Sequence, residues 1–137
     1  MFNPALRALI PAGLALLGVA CAWGPVAAQP PAGAEPFVRH CASCHGPLGE
    51  GDGPVASVIE VNVPNLRTLR QRANGSFPRD AVMRYIDGRE LPAAHGLRLM
   101  PVWGDTFVGT GDDAEANAAE AAATIAAITD YIEQLQR

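Results

Sequence analysis

Five consecutive residues constrain this chain more than anything else in it: Cys41-Ala42-Ser43-Cys44-His45. Two cysteines three positions apart are too close to close a useful disulfide loop. A structural zinc site needs four ligands, and no second cysteine pair or matching histidine pair follows downstream. A thioredoxin-type redox pair needs a βαβ setting, and no segment here alternates convincingly as a strand. The pattern that remains is the attachment sequence for c-type haem. On one helical turn, both thiols can form thioethers with neighbouring vinyl groups at the porphyrin edge. The histidine that follows then lies under the ring, where its Nε2 can ligate iron. Haem held in this way cannot dissociate, and its apolar faces act as core that the polypeptide need not supply.

The amino terminus fits that chemistry, because c-type haem is attached outside the cytoplasm. Arg7 precedes an apolar run from Ala8 to Ala22, and Val26-Ala27-Ala28 has the small-residue spacing of a signal cleavage site. Residues 1–28 read as a secretory signal, with a domain over 29–137 and a periplasmic destination. Gly18-Val19-Ala20-Cys21 offers a second reading, a lipoprotein signal with lipidation at Cys21. A membrane enters only through that lipid or an uncleaved signal. The full chain of 137 residues carries a net charge of −4, and every basic residue is arginine. Without Arg7, nine arginines face fourteen acids, or −5. No basic run is present, which argues against nucleic acid as a partner.

A domain over 29–137 is small enough to need a cofactor or cross-link to organise it. Gln29 to Pro36 reads as a loose leader. A short helix is predicted from Phe37 into His45. Residues 46–65 hold four glycines and three prolines and read as loop, with one possible helical turn at Val55 to Ile59. Pro78 to Ile86 reads as a helix with Pro78 in its first turn, Gly88 at its end, and an apolar stripe of Val82, Tyr85 and Ile86. Leu91 to Thr110 returns to loop. The last helix opens on a capping box of Asp112 and Glu115 and repeats Ile125, Ile128, Ile132 and Leu135 on one face. The fold class is all-α, with three to five helices and long loops. Loops of that length fit a compact domain when they wrap a large apolar group.

Over nearly all of Gly33 to Arg137, the chain resembles the class I cytochrome c family. Gly33, Phe37 and Cys41 recur at four-residue intervals, as in the family's N-terminal helix. The resemblance implies that Gly33 lets the C-terminal helix cross closely and that Phe37 packs on it, with Tyr131 as the matching aromatic. Val63-Pro64-Asn65-Leu66 is similar to the family's Pro-x-Leu segment. There the proline carbonyl, here that of Pro64, accepts a hydrogen bond from the proximal histidine, and the leucine, here Leu66, lies on the haem. Such a bond fixes the tautomer of His45 and raises its basicity. Pro36 departs from the pattern, because it falls inside the expected first helix and must either open a shortened helix or kink it.

The resemblance also implies the sixth ligand. Met-Pro after a loop is how the family presents its thioether, and Met100-Pro101 matches it. Met83 is the rival methionine but lies within a predicted helix, and His95 is a second candidate ligand. Bis-histidine ligation would lower the potential, whereas His/Met ligation raises it. Trp103 is expected at the haem edge, either meeting a propionate or serving as a core aromatic. Arg67, Arg89 and Arg98 are candidates to pair with propionates. His40 is expected to face solvent or make a local hydrogen bond.

Iron bound by His45 and Met100 has no open position, which suits one-electron transfer, not catalysis; no nucleophile–base pair or carboxylate dyad is evident. The expected function is a monomeric periplasmic carrier with one covalent haem c. Its donor would be a quinol-oxidising complex or dehydrogenase, and its acceptor an oxidase or reductase. A haem-based sensor with a displaceable Met100 and a bound cytochrome subunit of a dehydrogenase are the competing readings. Expressed without haem-attachment machinery, the chain should remain largely unfolded by far-UV circular dichroism. A stable helical apoprotein would show that the cofactor's share of the core is small.

Overall fold

The computed structural model describes residues 29–90 and 100–137. The predicted signal and lipidation residues, His95 and Arg98 lie outside that range. Among the described residues, six α-helices and one 3₁₀ turn follow in order: α1 (Ala34–His40), α2 (Ala42–His45), the 3₁₀ turn (Leu66–Thr68), α3 (Leu69–Arg72), α4 (Arg79–Asp87), α5 (Trp103–Thr106) and α6 (Ala114–Gln134). No strand occurs among the described residues. The all-α expectation holds, and the described residues hold six helices instead of three to five because α2, α3 and α5 are single turns of four residues.

Pro36 falls in the first turn of α1, which starts earlier than its sequence suggests. A missing N–H costs nothing there, because the first four amides of a helix have no intrahelical acceptor. The predicted helix over 37–45 is broken at one point. Cys41, at φ −115°, is both the C-cap of α1 and the N-cap of α2. Hydrogen bonds nonetheless run through the break, from Cys41 N–H to Phe37 C=O (2.8 Å) and from His45 N–H to Cys41 C=O (2.9 Å).

Gly46, at φ +77°, ends α2 and sends the chain back along it. The amides of Gly51, Gly53 and Val55 donate to the carbonyls of His45, Cys44 and Ser43 at 2.8–3.1 Å. These bonds hold the glycine-rich loop onto the attachment motif. In place of the possible helical turn at Val55 to Ile59, the chain makes hydrogen-bonded turns in which Ala56 N–H donates to Gly53 C=O (2.9 Å) and Val58 N–H to Val55 C=O (3.1 Å).

α4 lies one residue later than expected, with Pro78 as its N-cap. Gly88 ends it in the left-handed region at φ +76°, where a side chain would be strained. Val82 and Ile86 are buried, but Tyr85 is 63% exposed and leaves the expected apolar stripe. The cap of α6 is Asp113, not Asp112: its carboxylate accepts from the amides of Glu115 and Ala116, both at 3.0 Å. A capping box needs its partner three residues on, and from Asp113 that position is Ala116.

α6 buries Ala121, Ile125, Ile128, Thr129 and Ile132, while Leu135 becomes its half-buried C-cap. Before Ala121, every residue of the helix is exposed except Asn117, which is half-buried. The core consists of Phe37, Cys41, Val82, Ile86, Ile125, Ile128 and Ile132, ringed by partly buried side chains that include Leu66, Met100 and Trp103. α6 packs on α1, α4 and α5. At the crossing with α1, a Cβ on Gly33 would overlap the carbonyl of Ala127 and come within 2.9 Å of the Ile128 nitrogen. One turn further on, Phe37 is fully buried with its ring centroid 5.2 Å from that of Tyr131.

Those atoms at Gly33 are backbone, so no side-chain rotation can relieve a clash. Gly33→Ala is expected to destabilise the protein by ~1–3 kcal/mol, as overpacking does. A denaturant titration with an unshifted midpoint would contradict the close crossing.

Candidate cofactor site

The break at Cys41 places the five-residue motif where α1 turns into α2. Cys41 is buried, whereas Cys44 and His45 are half-buried, and neither thiol is in a disulfide. Burial, and next the neighbouring Cys44, push the Cys41 thiol up to about 12. Burial also lowers the pKa of His45, and a hydrogen bond to the Pro64 carbonyl works against that lowering. His45 Nδ1 lies 3.4 Å from the Pro64 oxygen, a long bond. A carbonyl can only accept, so Nδ1 carries the proton and Nε2 the lone pair. That is the tautomer able to bind a metal.

The Pro64 segment is held from both sides. Gly51, at φ +83°, lets Val63 approach so closely that a Cβ there would sit 2.5 Å from the Val63 oxygen. Leu66 N–H donates to Gly49 C=O (2.8 Å), and Asn65 caps the 3₁₀ turn by accepting from Arg67 N–H (2.9 Å). From the C-terminal side, the Gln136 amide donates to Leu66 C=O (2.8 Å) and accepts from Arg70 N–H (2.9 Å). Arg137 N–H donates to Arg67 C=O (3.1 Å).

Two apolar cavities, of about 320 and 220 Å³, open against this motif. Cys41, His45, Pro64 and Met100 line both of them. Cys44 and Trp103 add to the first, and Leu66, Val82 and Ile86 to the second. The structure places Cys41, Cys44, His45, Pro64, Leu66, Met100 and Trp103 in the walls of one or both of these cavities. Two thiols, an imidazole with a free Nε2, a thioether and apolar walls fit an apolar macrocycle bonded at its edge and carrying a central iron. Met83 packs against the core from α4 and lines neither cavity.

Two of the three candidate arginines, Arg67 and Arg89, are placed in ion pairs within the protein. Arg67 donates to Glu50 (2.9 Å) and to the Leu135 carbonyl (3.4 Å). Arg89 forms two bonds to Asp87, at 2.6 and 2.9 Å, and its pKa is raised chiefly by that pairing. Neither side chain lines a cavity.

His40 also departs from expectation. Its ring meets Trp103 edge-on at 5.3 Å and Phe107 at 5.1 Å, while Trp103 and Phe107 stack at 5.5 Å and 16°. His40 lines the first cavity with Trp103. Trp103 thus serves both as cavity wall and as a packed aromatic. The missed signal was the four-residue spacing of Trp103 and Phe107, which on a helical turn builds one ring platform.

Cys44→Ser should leave at most one thioether and a less stable holoprotein. Mass spectrometry of the haem peptide and the α-band of its alkaline pyridine complex read this directly. Two intact thioether signatures would refute the role of Cys44.

The family model for cytochrome c matches residues 31–136. No curated protein and no solved structure gives a significant match. Proteins of this kind carry haem c covalently and are typically electron carriers rather than enzymes. With the attachment motif at the α1–α2 junction and an apolar space built against it, the chain belongs to the cytochrome c family, as a haem-binding electron-transfer protein.

Proposed function

We propose that the protein is a periplasmic carrier of single electrons, with one haem whose iron is held by His45 and Met100. The observation that carries this reading is the presence of His45 and Met100 in the walls of the same two cavities, together with Cys41. The chain contains one CxxCH sequence, which supports one haem. The haem, when bound, supplies a one-electron iron couple. The protein's residues do the rest. Cys41 and Cys44 anchor the group, and Pro64 holds the His45 proton on Nδ1 so that Nε2 is the donor. Met100 would hold the iron through its thioether and so deny small ligands a place on it. Val82, Ile86 and Leu66 exclude water, which raises the cost of charge at the iron and so helps set the potential.

The signal-like residues 1–28 support export to the periplasm. An acidic chain suits docking against basic surfaces. A quinol-oxidising complex or dehydrogenase is the proposed donor, an oxidase or reductase the proposed acceptor, and the carrier itself is a monomer. Size-exclusion chromatography of natively purified protein distinguishes this from a permanent subunit of a larger enzyme.

The decisive experiment is Met100→Ala in the holoprotein. The wild-type ferric form should show the weak long-wavelength charge-transfer band of a thioether-ligated haem, and its ferrous form should not bind CO. The variant should lose the band, bind CO and fall in midpoint potential. An unchanged spectrum would remove Met100 as ligand, and CO binding by the wild type would favour a sensor.

A further inference from the structure

His40 joins two parts of the chain that are remote in sequence but adjacent at the site. It immediately precedes Cys41, so its backbone is continuous with the attachment motif. Its ring partners are Trp103, the first residue of α5, and Phe107, its C-cap, and α5 begins three residues after Met100. α5 also packs on α4 and α6, and a Cβ on Gly104 would press on Asp87 and Arg89. Those contacts hold α5 from the body of the protein. The His40 ring ties it to the helix that leads into the thiols.

We infer that His40 is a positioning residue: its edge-on packing against Trp103 and Phe107 clasps the Met100 segment to the attachment helix and keeps the thioether on the iron. The inference rests on the His45/Met100 ligation proposed above. A neutral thioether is a soft donor and holds ferric iron weakly. Its retention against water or an added ligand therefore depends on how little freedom the segment has to lose when it binds. Aromatic pairs at this separation and angle are attractive beyond their buried area. Both ring pairs bear on a segment whose first helical residue, Trp103, is itself a cavity wall. Neither the protonation state of His40 nor a hydrogen bond from it is required.

The test is displacement of Met100 by free imidazole in the ferric holoprotein, followed through the long-wavelength band. His40→Ala should tighten apparent imidazole binding by about tenfold, the scale of one or two aromatic pairs. His40→Phe keeps a ring and should restore the wild-type affinity. Phe107→Leu removes one ring partner without touching the motif and should give an intermediate value. This variant also reads the clasp if His40→Ala does not mature. A purely structural role for His40 would lower the unfolding midpoint and leave imidazole affinity unmoved, and that result would overturn the inference. So would a His40→Phe protein as weakened as His40→Ala. If the wild-type ferric protein lacks the band, the ligation reading fails and the clasp fails with it. If the band is present and responds to Met100→Ala but not to His40→Ala or Phe107→Leu, only the clasp fails.

Discussion

The geometry of the molecule depends on one backbone-to-backbone contact, the crossing of α1 over α6 at Gly33 and Ala127. A side chain at Gly33 would push the two helices apart. With hydrogen alone, α1 lies close enough for Phe37 to be sealed under α6 beside Tyr131. Cys41 comes one turn later, already facing the core, and the break in the helix at that residue turns Cys44 and His45 along the apolar space. An all-helical chain with few fully buried side chains can define a site this way, because a single tight crossing sets the direction of the helix that bears it.

The same crossing governs the far end of α6. Once the helix is docked, its last residues reach the segment behind His45. Gln136 bridges Leu66 and Arg70, and Arg137 reaches Arg67 and Glu50. Glu50 lies in the glycine loop and also pairs with Arg67. Attachment helix, glycine loop, Pro64 segment and C-terminus thus form a closed ring of contacts around His45. The orientation of His45 is a property of that ring as well as of its bond to Pro64.

Much of this could be read in the amino acids. The cysteine spacing carries its own chemistry, and the isoleucine repeat in α6 is long enough for helical periodicity to dominate local noise. Gly88 marks the end of α4 because only a left-handed residue closes that turn well. The rest depends on tertiary contacts. The 3₁₀ turn, α3 and α5 are each too short to be stable alone and exist because neighbours hold them. Asp112 and Asp113 are equivalent until the chain's direction decides which carboxylate meets the free amides. Arg67 and Arg89 have acidic partners that differ in kind: Asp87 is two residues away, but Glu50 becomes a neighbour only after folding. The role of His40 was hidden for the same reason, since its platform comes from a segment more than sixty residues later.

The exposed front of α6 gives that helix an uneven energy profile. From Ala114 to Glu120 its turns rest on alanine propensity and the Asp113 cap, with little buried against them. From Ala121 onward, each turn is locked into the core. Helical residues without tertiary burial open at low local cost, whereas the packed half opens only with the whole protein. The helix is continuous in shape but divided in cooperativity. Its front turns can open without disturbing the half that braces the Pro64 segment.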